Sequence, residues 1–264
     1  MNTDGHGLLY RNETHRIVGC AFEVLNTPAI RGYSFPPATA FGKVVPKARI
    51  YRHASPSAAV RKLFVRQVAR IVWSFKLSPD TVNLSAGGID EMQVFTIHLR
   101  GDDLDERVLR TIDNAVPSPI LYILSSETGI RYAAAIKRMS QADRAKRVIG
   151  DYCMKAVSAE RADAAGRPLP VVPHLGALYE HFLRELAPLP AWDGETVDEL
   201  MARAGQVRRL QADAEKLETR IRRERQFNRK VELNRQLRQV RCDMERLMES
   251  HASGAHGGRR NGER

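Results

Sequence analysis

Apolar and polar positions alternate along this chain with a period that changes several times, and each change marks an expected element. Val60, Leu63, Phe64, Val68, Ile71, Val72 and Phe75 form a broad helical face. With Ser55 as cap, Pro56 as first residue and Pro79 as stop, they predict one helix. Lys62, Arg66 and Arg70 fall four apart on its other face as a basic stripe. The stretch IDEMQVFTIHL reads as a strand, with Phe95, Ile97 and Leu99 on one side and Met92 and Val94 on the other. Asp102 or Asp103 can cap the next helix, whose buried stripe is Leu104, Val108, Leu109, Ile112 and Val116 before Pro117 ends it. ILYIL is a fully apolar strand, and a strand, helix and strand with such short links predict a right-handed parallel crossover. After the turn SETG, IRYAAAIK alternates Ile130, Tyr132, Ala134 and Ile136 as an antiparallel partner, and residues Arg147 to Val157 add a further strand. The pattern predicts an α/β (α+β) sandwich domain over residues 41–160.

Flanking this core are a leader over residues 1–40, with a short helical pattern from Thr14 to Leu25, and a proline-rich connector over 161–195. The connector carries an amphipathic helix through Leu175, Leu178, Tyr179, Phe182, Leu183 and Leu186. From Thr196 to Ser250 there is no proline and Gly205 is the one glycine. Val207, Leu210, Ala214, Leu217 and Ile221 recur at spacings of three and four; Leu233, Leu237, Val240, Met244 and Leu247 do the same. The second seam is displaced by two residues, roughly 200° around a helix. Two architectures fit: a single coiled-coil-like helix of about 50 residues, or a helical hairpin folding near Asn228. A single helix with stripes on opposite sides exposes one of them, which predicts a homo-oligomer through this arm. Residues 251–264 read as a disordered tail by composition.

Composition narrows the class. Of 264 residues, 43% are apolar and 28% charged, which suits a soluble globular protein. No apolar run approaches the roughly 18 residues that would span a bilayer, and the N-terminus lacks a basic start with an apolar signal core. A cytoplasmic location is expected. Cys20, Cys153 and Cys242 form no paired motif, so neither disulfides nor a cysteine zinc site are indicated. The formal charge of +11 is unevenly placed. From Val24 to Pro79 there is no Asp or Glu beside ten basic residues, and from Arg222 to Arg241 eight basic residues face only Glu224 and Glu232. Such concentrations attract polyanions, nucleic acid above all, or serve simply as a solvated face.

Candidate chemistry follows the charge. Arg222, Arg223, Arg225, Arg229 and Lys230 form a cationic girdle with Gln226, Asn228 and Asn234 among them. The amides either pair across a buried layer of the arm and set register, or contact bases and sugars beside phosphate-binding cations. Lys62, Arg66 and Arg70 are further candidate phosphate contacts. Trp73, Phe75 and Lys76 read as core packing with an outward lysine, or as a base-stacking surface. A metal-dependent nuclease of degenerate PD-(D/E)xK type would use Asp90 and Glu91 with Lys137, yet Ala135 stands where the second carboxylate is needed. His174 and His181, near Glu180 and Glu185, are seven apart, whereas ligands on adjacent turns need three or four. No phosphate loop, dinucleotide fingerprint or nucleophile elbow occurs. No cofactor is expected.

Three stretches, VWSFKLSPDTVNL (72–84), VPSPILYIL (116–124) and RRERQFNRKVELNRQLR (222–238), resemble the bacterial and archaeal domain-of-unknown-function family 4391 in order and spacing over about residues 41–248. The resemblance implies no established activity. It does imply company: members accompany DNA methyltransferases and helicases in restriction-like, phage-defence clusters. LLYRNETHRIVGCAFEVLN (8–26) is similar to the start of the GxxExxY family, although the naming motif does not follow. Together these readings describe an accessory protein without enzymatic activity that binds DNA, RNA or a nucleic-acid-processing partner such as a methyltransferase or helicase. The alternatives are an oligomerisation scaffold and a nuclease.

Overall fold

The run expected to be one helix from Ser55 to Pro79 is a short helix followed by a long strand. In the computed structural model, which describes residues 32–139, 147–157 and 166–249, β1 (Tyr33–Ser34) and β2 (Ala40–Val44) precede α1 (Lys47–Ala54) and α2 (Ala58–Gln67). The chain then passes directly into β3 (Val68–Leu77). Ser57 rather than Ser55 caps α2, its hydroxyl accepting the Val60 amide; Ser55 ends α1 in a left-handed conformation with φ 45°. Val68, Ile71, Val72 and Leu77 are all at most 2% exposed, so β3 is buried on both faces. A strand covered on both sides loses its period of two, and its apolar run then fits a helix equally well on paper. Three β-branched residues and two aromatics, Trp73 and Phe75, favour the pleated surface, and the antiparallel partners β2 and β4 (Met92–Leu99) supply the backbone hydrogen bonds.

The remaining elements of the sandwich are α3 (Pro79–Val82), β4 (Met92–Leu99), α4 (Glu106–Ala115), β5 (Ile120–Ser125), β6 (Ile130–Met139), β7 (Arg147–Ala156), β8 (Arg167–Pro168) and α5 (Leu175–Leu186). Strands β2 to β7 form one six-stranded sheet in chain order, parallel only between β4 and β5, across the α4 crossover. Asp105, not Asp102 or Asp103, caps α4 by accepting the Arg107 amide at 2.9 Å. The Arg107 guanidinium, also bonded to that carboxylate, helps pull its pKa down to about 2. One face of the sheet packs through Ile71, Phe95, Ile97, Tyr122 and Leu124 onto Ile50, Leu63, Phe64, Val108, Leu109 and Ile112 of α1, α2 and α4. Helix α5 packs on β6 and β7, burying Leu178, Tyr179, Phe182 and Leu183. Tyr33 and Phe35, within the expected leader, are packed too: β1 pairs with β8 and Phe35 stacks on Phe75 at 4.6 Å.

At the start of α5 two segments meet backbone to backbone. The Leu175 and Gly176 amides donate to the Ser85 and Ala86 carbonyls, and a Cβ added to Gly176 would collide with the Gly87 carbonyl oxygen.

The chain divides into two units, residues 1–186 and 187–264. The second holds α6 (Val197–Arg223) and α7 (Phe227–Met248), joined by Glu224, Arg225 and Gln226. Thr196 and Glu199 form a reciprocal capping box at the start of α6. Of the two architectures open in the sequence, the hairpin is the one formed. Ala214, Leu217 and Ile221 meet Leu233, Leu237 and Val240 near the turn, while Leu200, Ala204 and Val207 meet Met244 and Leu247 near the base. The displaced seam is thereby explained: three non-helical residues interrupt the helical phase, so each seam is free to face the other.

Candidate functional site

Lys137, the lysine a nuclease would need, lies 2% exposed beneath α4. Its ammonium is 2.9 Å from Asp113 and donates to the Val116 and Ser118 carbonyls. Asp113 also accepts hydroxyls from Tyr122, at 2.9 Å, and Tyr152. Burial lowers the Lys137 pKa and raises those of both tyrosines, as expected where charge is removed from water. Glu91 is 2.6 Å from Lys76 and accepts from the Ser118 hydroxyl at 2.8 Å. Burial pushes its carboxyl up, but the bonds from Lys76 and Ser118 outweigh this and leave it below the ordinary value. Glu91 and Lys137 thus both reach Ser118, one at its hydroxyl and the other at its carbonyl, but the carboxylate bonded directly to Lys137 is Asp113. Among the described residues no group of three or more His, Cys, Asp and Glu side chains could hold a metal.

The histidines have other partners. His174 Nδ1 accepts the Ala177 amide at 2.9 Å and so caps the first turn of α5. His181 Nε2 lies 3.2 Å from the Tyr33 hydroxyl, which donates to Glu185; Arg167 pairs with Glu185 and stacks 4.0 Å over the Tyr33 ring. Burial, then the neighbouring Glu185, raises the Tyr33 pKa. Trp73 packs on Phe41 and Phe95 at 4.1 and 5.9 Å, and Lys76 is held by Glu91.

The basic stripe is not formed as expected: Arg70 is on β3, 3.2 Å from His98, and of the three only Lys62 and Arg66 lie exposed on α2. Much of the acid-free segment is likewise used internally. Lys47 donates to the Phe64 and Val68 carbonyls, Arg61 to Pro56 and across Tyr51.

The girdle is different. Between Arg220 and Lys230 the hairpin turn carries Arg220, Arg222, Arg223, Arg225, Arg229 and Lys230 against Glu224 alone. Glu224 Oε1 accepts the Arg225 and Gln226 amides, both at 2.9 Å, and Oε2 is 3.5 Å from Arg229. Those amide bonds, led by Gln226, lower its pKa and fix the turn. Arg222, Arg223, Arg225 and Lys230 are exposed and, among the described residues, make no ion pair. The amides do not form a buried layer. Gln226 and Asn228 are exposed at the start of α7, and Asn234 donates to the Lys230 carbonyl of its own helix at 2.8 Å. The sequence pattern suggests no role for Phe227, yet it stands 78% exposed in this ring of cations, with Val231 49% exposed one turn on. The available signal was an aromatic residue on neither seam.

At the other end of the hairpin a shallow recess of about 490 Å³ is lined by Trp192, Glu195, Glu199, Arg203, Gln206 and Leu247. Arg203, 4% exposed, is fully engaged there: it pairs with Glu195 at 2.7 Å, donates to the Pro190 and Leu247 carbonyls, and stacks 4.1 Å over Trp192. This is a clasp that fixes α7 to the base of α6.

Comparison with curated proteins and with solved structures finds no match. The GxxExxY likeness gains no support, and its residues 8–26 lie outside the described residues. No helix among the described residues is long and apolar enough to cross a membrane. A family model described as "Domain of unknown function (DUF4391)" matches residues 34–244, which include all three stretches carrying the resemblance, and the chain belongs to that family.

Proposed function

We propose that the protein is a non-enzymatic accessory factor that binds nucleic acid through the turn of its helical arm. The observation that carries this reading is the group of four exposed cations, Arg222, Arg223, Arg225 and Lys230, which make no ion pair among the described residues, on a turn fixed by Glu224. Exposed arginines that gain nothing from internal pairing are free to neutralise phosphates, and a short link between two packed helices keeps them together. A partner among methyltransferases or helicases, as the family resemblance implies, suits a factor that contacts the same polyanion.

Binding of labelled DNA over a series of salt concentrations tests this. With about four phosphates neutralised, log affinity should fall against log salt with a slope of roughly −4 on duplex DNA. Changing Arg222, Arg223, Arg225 and Lys230 together to glutamate should abolish binding while leaving the Arg229 and Glu224 pair in place. Salt-insensitive binding, or binding that survives the fourfold reversal, would overturn the reading.

A further inference from the structure

We infer that the arm's turn takes unpaired bases, with Phe227 as the platform on which a base stacks, so that its ligand is single-stranded nucleic acid or a duplex carrying an unpaired end. This deepens the phosphate-binding reading and rests on it.

Phe227 is the first residue of α7 and is 78% exposed. Its backbone is not free to turn inward. The preceding Gln226 amide is bonded to Glu224 at 2.9 Å, and the Gln226 carbonyl accepts the Lys230 amide at 3.0 Å. Leu233 and Leu237, buried in the hairpin seam, fix the side of α7 that faces α6. Phe227 and Val231, four residues apart, make an apolar strip outside that seam, about one helical turn in length. Among the described residues no other ring packs on Phe227.

Charge complementarity selects the occupant. The strip lies on the same turn as Arg222, Arg223, Arg225, Arg229 and Lys230, so an occupant suited to both brings negative charge beside an apolar face. An unpaired nucleotide does so, with a base face next to a phosphate, and every base offers such a face, which makes the contact tolerant of sequence. An intact duplex keeps its base faces stacked inside and turns phosphates and groove edges outward, leaving Phe227 uncovered.

The full-length protein should therefore bind a short single-stranded oligonucleotide about tenfold more tightly than the duplex of the same sequence at equal salt. Phe227→Ala should remove that preference and leave duplex binding unchanged, since the ring is exposed and its loss opens no cavity. Phe227→Trp should retain the preference, and its added indole emission should be quenched by the single strand and not by the duplex. Equal affinity for the two forms in the wild type, or an equal loss of both in Phe227→Ala, would overturn the inference while the salt-dependent duplex binding stands. Absence of binding to either form would overturn the phosphate reading and this one together. Two further outcomes would also overturn it: a wild-type oligomer that Phe227→Ala converts to a monomer in sedimentation, which assigns the ring to a second copy, and tighter binding to anionic lipid vesicles than to the oligonucleotide.

Discussion

The Lys137 and Asp113 pair shows how one residue can be visible in a sequence while its role is not. Lys137 ends the alternating run IRYAAAIK, but its partner lies 24 residues earlier on α4. The legible clue was Asp113 itself, a carboxylate beside Ile112 in a stripe otherwise made of Leu109, Ile112 and Val116. Once buried, such a pair must be fully bonded, because an uncompensated charge in an apolar core is strongly destabilising. The hydroxyls of Tyr122 and Tyr152 complete it, and they also set a pH limit. Burial raises the pKa of six tyrosines above the ordinary 10: Tyr33, Tyr51, Tyr122, Tyr132 (to about 12), Tyr152 and Tyr179. A folded-state value above the unfolded one contributes stability that is complete below pH 10 and is lost as pH rises, since the unfolded chain releases those protons first. Lys47 and Lys137, both lowered by burial, work in the opposite sense, but their effect is complete once pH passes their ordinary 10.5, and they are two groups against six. Titration above about pH 10 should therefore show tyrosinate absorbance rising together with loss of secondary structure. Tyrosines that ionise while the fold persists would contradict this.

Among the elements, helix α4 was legible because its buried stripe kept a period of 3.6, strand β6 because it follows a turn, and the strand, helix and strand crossover because its links are short. Strand β3 was not legible, because its two buried faces erase the alternation, and the basic stripe dissolved with the helix that was to carry it. The arm was half legible: its two seams were plain, whereas the reversal at residues 224–226 contains neither proline nor glycine to announce it. The candidate site stands similarly, with the cations countable in the sequence and the exposure of Phe227 visible only in the folded turn. The approach of Gly176 to Gly87 was also invisible, as it joins segments almost ninety residues apart. Gly176→Ala should lower stability by about 2–3 kcal/mol in chemical denaturation, the upper part of the usual range for an overfilled contact between rigid backbones. Gly88→Ala is the control: its φ of +84° is strained for alanine, but nothing lies within 4 Å. It should lower stability by roughly 1 kcal/mol, so equal losses would contradict the collision.

At the scale of the whole molecule, each unit has a core of its own: the cluster centred on Phe64, Ile97 and Tyr122 uses no residue beyond Leu186, and those of the hairpin use none before Ala187. A chain ending at Leu186 is expected to keep the strand signal in circular dichroism and to lose salt-dependent binding of nucleic acid. Binding retained by that shortened chain would move the polyanion site to Lys62 and Arg66 on α2. The hairpin, closed by the Arg203 clasp at one end and by Glu224 at the other, behaves as a ruler. Its tip stands off from its base by a distance set by paired turns, so its length can change only in matched steps. Seven residues added to both helices would advance the tip by about 10 Å with every seam contact preserved. Seven added to one helix would leave its seam one heptad out of step and pull the cations off the end. Variation in reach among chains of this architecture should therefore come as equal insertions on either side of the turn, with the turn itself left unaltered.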